Sequence, residues 1–333
     1  MKVNELRTVL GKYKPKELQE IAVALYKMIP KAKKEENDVD ELLQNFTLEK
    51  PKQAKKESHV DFNQLDGEIA WFLACADEQL FLAPNRIVPK SRRTKWRFEV
   101  KNFVKNLLAV SGENSDAAAK HMVNIYNMLS YACNYYIFTS ENPITAIGYR
   151  QTELLGIVLG KLFYSGYSEE AIKTAVYTTL DSNVDRFTLH TSLHYVLINS
   201  LKTPDTKETA LKYCIEFPKD YYTYQSVKKI FKISGRSYSS SSTDYRYNGC
   251  RNNAAELYLL IKFSLQEYDE GIKYFWKNTI ERDKEVKLYC LLELIGMEEL
   301  DQLWLREYDK AVKSGIKPRE SLQEEYSERK AAN

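Results

Sequence analysis

Apolar residues return every three or four positions along most of this chain, and that spacing narrows its possible folds more than any other feature. A period near 3.6 puts one apolar stripe on each helix, able to bury against a neighbour. Ile69, Leu73 and Leu80 mark one such face, and Phe103, Val104, Leu107 and Leu108 the next. Met122, Ile125, Leu129, Ala132 and Tyr136 mark a longer one. Near the C-terminus Leu288, Leu291, Leu292 and Ile295 recur, followed by Leu300, Leu303, Trp304, Tyr308 and Ala311. Only 12 glycines and 9 prolines interrupt 333 residues, too few for the frequent tight turns of a strand-rich fold. The expectation is an all-α protein: an irregular array of helical hairpins, solenoid-like, with a small helical unit in front.

That N-terminal unit covers residues 1–46. Pro15 suits a helix start, Leu18, Ile21, Ala22, Leu25, Met28 and Ile29 follow at helical spacing, and Pro30 ends the run. Residues 47–60 are polar, lysine-rich and contain Pro51, as a linker would be. Residues 61–233 form the first block of the array and 252–333 the second. Between them, residues 234–251 hold the serine-rich tract SYSSSST, whose side chains compete for backbone hydrogen bonds; an exposed loop is expected there. In Arg186 to Ile198 the apolar pattern fits either strand or helix, and the helical surroundings favour helix. Residues 324–333 are expected to fray.

Composition excludes several classes. Hydrophobic residues at 44% can fill a sizeable core, so disorder is not the default. A net charge of +3 demands no polyanionic partner, so any nucleic-acid reading must rest on local clustering. Five well-separated cysteines, none in a C-x-x-C pair, indicate reduced thiols and not a zinc site or disulfide framework. The longest apolar stretch, Ile69 to Ala76, is too short to cross a bilayer. The N-terminus has no apolar run of the signal-peptide kind, and a cytoplasmic location is the expectation. The 24 tyrosines, clustered at Tyr135-Tyr136, Tyr221-Tyr222-Tyr224 and Tyr245-Tyr247, suit interaction surfaces, or reflect genome composition.

Two segments are alike: YSEEAIKTAV from Tyr167 and YDEGIKYFWK from Tyr268, which start 101 residues apart. A third, ETALKYCIEF from Glu208, shares their apolar-Lys step. With Leu159, Gly160 and Phe163 upstream of the first copy, these segments resemble the tetratricopeptide repeat, whose period is about 34 residues. The resemblance assigns Ala171 and Gly271 to the small position where two helices of a hairpin approach. It implies a stacked-hairpin scaffold with a surface for a protein or peptide.

Sites for chemistry are few. His190 and His194, at i and i+4, share a helix face and could hold a divalent metal, with Asp181 and Asp185 upstream to complete it. Thr191 follows His190, so the H-E-x-x-H pattern is absent, and two partly exposed or hydrogen-bonded histidines are the plainer alternative. No phosphate-cradling glycine loop and no G-x-S-x-G nucleophile elbow occurs. The run from Arg86 to Lys105 carries Arg86, Lys90, Arg92, Arg93, Lys95, Arg97, Lys101 and Lys105 against one acid, Glu99. Trp96, Phe98 and Phe103 interleave with them, a pattern suited to single-stranded nucleic acid. Ser91 is placed to cap a helix with Arg92 and Arg93 in its first turn, where positive charge opposes the dipole and an anion would relieve it. The plain alternative is a solvated helix face. The N-terminal unit, through Leu18, Ile21, Lys33, Lys34, Asp40, Leu42 and Leu43, resembles the small nucleic-acid modules of the SAP and Rho N-terminal type.

The leading expectation is a non-enzymatic scaffold or adaptor for a protein or peptide, needing no cofactor and no membrane. A nucleic-acid binder using residues 86–105 is the second reading, and a metal-dependent hydrolase at His190 and His194 the third.

Overall fold

The computed structural model describes residues 3–30, 33–34, 39–44, 61–82, 95–227 and 240–332. Every regular element among them is helical; no strand occurs among the described residues. The chain divides into two compact units, residues 1–59 and 60–333. The proposed linker lies outside the described residues.

The first unit holds α1 (Val3–Leu10), α2 (Pro15–Met28) and α3 (Val39–Gln44). Pro15 opens α2, and Glu17 accepts from the Lys14 amide at 2.6 Å, satisfying one of the free donors at the helix start. No residue of α2 is buried: Leu18 and Ile21 are half-covered, and Leu25 and Met28 are exposed.

The second unit begins with α4 (Phe62–Asp77), α5 (Trp96–Ala109), α6 (Ser115–Ala132) and the single turn α7 (Pro143–Ala146). It continues with α8 (Gln151–Leu162), α9 (Glu169–Leu180), α10 (His190–Ser200), α11 (Pro204–Val227) and α12 (Ser240–Ser264). It ends with α13 (Tyr268–Asn278), α14 (Lys284–Met297), α15 (Asp301–Lys313) and α16 (Glu320–Ala332). Caps explain several of the starts. The Asp61 carboxylate accepts from the amides of Asn63 and Gln64, Ser168 Oγ from that of Ala171, and Asp283 from that of Glu285. Each such cap contributes about 1 kcal/mol.

Packing follows the apolar stripes. α6 is the hub of the first part: α4, α5, α7 and α8 all rest on it, so Met122, Ile125, Tyr126, Met128 and Leu129 are each no more than 1% exposed. Beyond it the hairpins stack in two rows, α8 on α10 on α12 and α9 on α11. From α12 each helix packs on the next in sequence, through α16. The C-terminal faces at Leu288, Leu291, Leu292, Ile295, Leu303, Trp304, Tyr308 and Ala311 are all buried, as their spacing requires. Two faces end earlier than the pattern suggests: Leu80 and Tyr136 lie beyond their helices and are exposed.

A polar knot ties the α9–α10 connection to α6 and α8. Gln151, wholly buried, donates to the Asn183 carbonyl at 2.8 Å and accepts from the Asp185 amide at 2.8 Å. Ser130 Oγ donates to the same Asn183 carbonyl and accepts from the Asn183 amide, while Tyr126 and Ser182 share a hydrogen bond at 3.0 Å. Burial pushes the Tyr126 phenol up to about 12, so it stays neutral. A second buried tie is Lys161, whose ammonium donates to the Val110 carbonyl at the end of α5. Positive charge is favourable at that helix terminus, although burial lowers the lysine pKa.

Three expectations are corrected. Ser240 to Arg251 are not a loop but the first half of α12. Hydroxylated residues disfavour helix only weakly, and the second half, with Ala254, Ala255 and Leu257 to Ile261 buried, is a strong nucleus from which the helix extends. The C-terminal residues are not frayed: α16 runs to Ala332, with Arg329 paired to Asp301 and Glu325 and lying over Trp304. Nor does α5 start at Ser91. It starts at Trp96, so the arginine in its first turn is Arg97, offset by Glu99, and not the pair Arg92 and Arg93.

Candidate interaction grooves

The described part of the basic run is Lys95 to Lys105. Arg97, Lys101 and Lys105 line one exposed stripe of α5. Arg86, Lys90, Arg92 and Arg93 lie outside the described residues. Trp96 is the main correction: it is 2% exposed and stacks on Phe138 at 4.0 Å. Phe103 is buried as well. With Val100, Val104 and Leu107 they make the inward face of α5, so neither ring is available to a base; of the three aromatics only Phe98 stands in solvent.

His190 and His194 do share a face of α10, but that face points into α8 and α12. His190 is half-buried and its Nδ1 accepts from Asn253 Nδ2 at 3.2 Å. His194 is wholly buried with no hydrogen bond to either ring nitrogen, and burial, followed by the neighbouring His190 ring, pushes its pKa down to about 3. Asp185 turns its carboxylate to the Phe187 amide. Among the described residues no three His, Cys, Asp or Glu side chains group as metal ligands would. All five cysteines are free thiols.

Among the described residues are two open grooves, each lined by a tryptophan. The first lies between α4 and α5, which are both seated on α6. One wall is Glu68, Trp71, Phe72 and Cys75, the other Glu99, Asn102, Phe103 and Asn106; each set is spaced i, i+3, i+4, i+7. Its floor is aromatic, with Phe72 edge-on to Phe103 at 5.5 Å and stacked on Phe81 at 4.7 Å. Trp71 stands 72% exposed over a cavity of about 400 Å³. Burial, and then the charges of Glu78 and Glu99, push the Cys75 thiol pKa up.

The second groove, of about 840 Å³, lies between α13 and α15, which both pack on α14. Lys273, Trp276 and Lys277 line one side, and Arg306, Glu307 and Lys310 the other. Glu307, 3% exposed, is held by Arg306 at 3.1 Å and Lys310 at 3.5 Å, and Arg306 also bonds Asp269 at 2.5 Å. Next to this groove, Gly271 permits a close approach of α13 to α12: a Cβ there would stand 2.9 Å from the Cβ of Lys262. At Gly160 a Cβ would meet nothing within 4 Å.

Neither groove announces itself in the sequence. Trp71 sits inside the longest apolar stretch, where exposure is the last thing composition suggests. The available signal is the acid-amide stripe of α5, Glu99, Asn102 and Asn106, set on the flank opposite its lysines. Compared with known proteins, the chain matches no family model, no curated protein and no solved structure.

Proposed function

We propose that this chain is a non-enzymatic helical scaffold that holds a protein or peptide partner in the groove between α4 and α5. One observation carries the reading: Trp71 is 72% exposed above an aromatic floor. Tryptophan is the residue most enriched among the side chains that dominate binding energy, and an exposed one beside a pocket is a site for an anchor. The similarity of YSEEAIKTAV and YDEGIKYFWK to tetratricopeptide helices, and the close approach at Gly271, fit the same reading. The test is a peptide-display selection on the full-length chain, counter-selected with Trp71→Ala. Binders that need Trp71, while the variant keeps its melting temperature, support the scaffold; their absence removes it.

The second reading, nucleic-acid binding, is favoured by the Arg97, Lys101 and Lys105 stripe. It requires oligonucleotide binding that weakens with salt. Each charge reversal on the stripe then flattens the slope of log K against log salt by about 0.7–0.9. No binding at low salt by the folded protein removes it.

A further inference from the structure

The groove between α4 and α5 has a sign. Two of its lining side chains are carboxylates, Glu68 on one wall and Glu99 on the other, and among the described residues none that line it is a cation. Among the described residues neither carboxylate has a lysine or arginine within ion-pair distance. Glu68 accepts only a neutral bond, from Gln64 Nε2 at 2.7 Å. The cations of α5 do not neutralise the site, because Arg97, Lys101 and Lys105 occupy the opposite flank of that helix. At the floor, burial, then Glu78 outside the groove and Glu99 on its wall, raise the Cys75 pKa.

An exposed indole beside two carboxylates is the arrangement that attracts an ammonium or guanidinium group: the ring face supplies a cation–π contact and the carboxylates a charge-assisted one. A phosphodiester backbone would meet like charge there. Below the rim, Phe72, Cys75 and Phe103 are apolar, so the same occupant must also carry an apolar side chain.

Resting on the scaffold reading above, we infer that this groove takes a basic segment of a protein partner. A lysine or arginine of that segment lies on Trp71 between Glu68 and Glu99, and an adjacent leucine- or phenylalanine-sized side chain enters over Phe72, Cys75 and Phe103. Charge complementarity selects the partner and the aromatic floor anchors it.

The experiment uses the full-length chain and a displayed library of random twelve-residue peptides, at low salt and near pH 7.5. The Trp71-dependent binders are expected to be enriched in Lys and Arg over the starting library. The best of them, resynthesised and titrated, should weaken about tenfold against Glu68→Gln/Glu99→Gln and also with added salt, whereas replacing its basic residues by Gln should abolish the sensitivity to those carboxylates. Thermal melting of each variant separates loss of binding from loss of fold. Trp71-dependent binders of neutral or acidic composition, or an unchanged affinity for the double variant, would overturn the charge assignment and leave the scaffold reading standing. A complete lack of Trp71-dependent binders would overturn both. Competition by a single-stranded oligonucleotide at Trp71 would also overturn it. So would a photo-cross-link from position 71 to residues 83–94 of the same chain that no basic peptide displaces.

Discussion

Set side by side, the Trp71 groove and the Trp276 groove share a construction: two helices splayed over a third on which both rest, with a tryptophan on the wall. They differ in what their charges are already doing. Around Trp276 the buried Glu307 is held by Arg306 and Lys310, Arg306 reaches on to Asp269, and Lys287 donates to the carbonyls of Trp276 and Thr279. Around Trp71, Glu68 and Glu99 have no ionic partner among the described residues, and the indole is exposed where Trp276 is half-covered. Shape alone therefore does not distinguish a binding groove from a seam between helices. Charges left uncompensated by the fold do.

The sharpest way to break this contrast is at the floor and rim of the first groove. Phe72→Ala should cost about 3–5 kcal/mol of stability, because it empties a packed aromatic site, while Trp71→Ala should stay within about 0.5 kcal/mol. Urea denaturation of the two variants measures this. A Trp71→Ala loss as large as that of Phe72→Ala would make Trp71 a structural residue and end the comparison.

Two groups on α10 and α12 respond to acid in opposite senses: His194 weakens the fold as pH falls, whereas Glu256, whose carboxyl burial raises to about 7, takes up its proton more readily in the folded chain and strengthens it. The folded pKa of His194, about 3, lies below its unfolded value near 6.5, so the unfolded chain takes up the proton first. The stability due to the neutral ring is therefore complete above about pH 6.5 and falls as pH drops towards 3. From pH 7 to pH 5 the loss is about 2 kcal/mol. His194→Leu, which removes two buried ring nitrogens without a protein partner, should remove that acid-dependent loss without destabilising the protein at pH 7. Because Glu256 acts in the opposite sense over the same range, the readout is the difference between wild type and variant: identical pH dependence of their melting temperatures from pH 7 to 5 contradicts the burial of His194.

Backbone spacing supplies a finer comparison. Gly271→Ala beside the second groove should cost about 1–3 kcal/mol, since its Cβ would press on Lys262 and, at 3.1 Å, on Leu259. Gly67→Ala beside the first groove meets nothing within 4 Å and should stabilise α4 by about 0.5–1 kcal/mol. Equal effects at the two positions, read by differential scanning calorimetry, would mean that the helices approach equally in both places.

Helix positions and most inward faces were legible because periodicity is a local property. Leu288, Leu291, Leu292 and Ile295 are buried as their spacing demands, and α10 forms where the surroundings favoured helix over strand. What sequence did not reveal is which flank of a helix its neighbours cover. Trp96 sits among lysines and arginines and still turns inward, because it continues the stripe of Val100, Phe103, Val104 and Leu107. Trp71 sits among alanines and leucine and still turns outward, because α6 covers only one side of α4. The serine tract misled for a third reason: weak local preferences yield to a helix already stabilised further along the chain.

The knot around Gln151 has a consequence for how the array assembles. Stacked helices whose contacts are leucine and isoleucine lose little when one slides past another by a turn, because one apolar contact replaces the next. Gln151 removes that freedom, since a slide would strand its carboxamide, the Ser130 hydroxyl and the Asn183 and Asp185 amides without partners in a buried interior. Each stranded group costs about 1–3 kcal/mol. The knot thus works as a vernier stop: it adds little to the strength of the stack, yet sets the one alignment of α6, α8 and the α9–α10 turn in which the layers on either side come to rest.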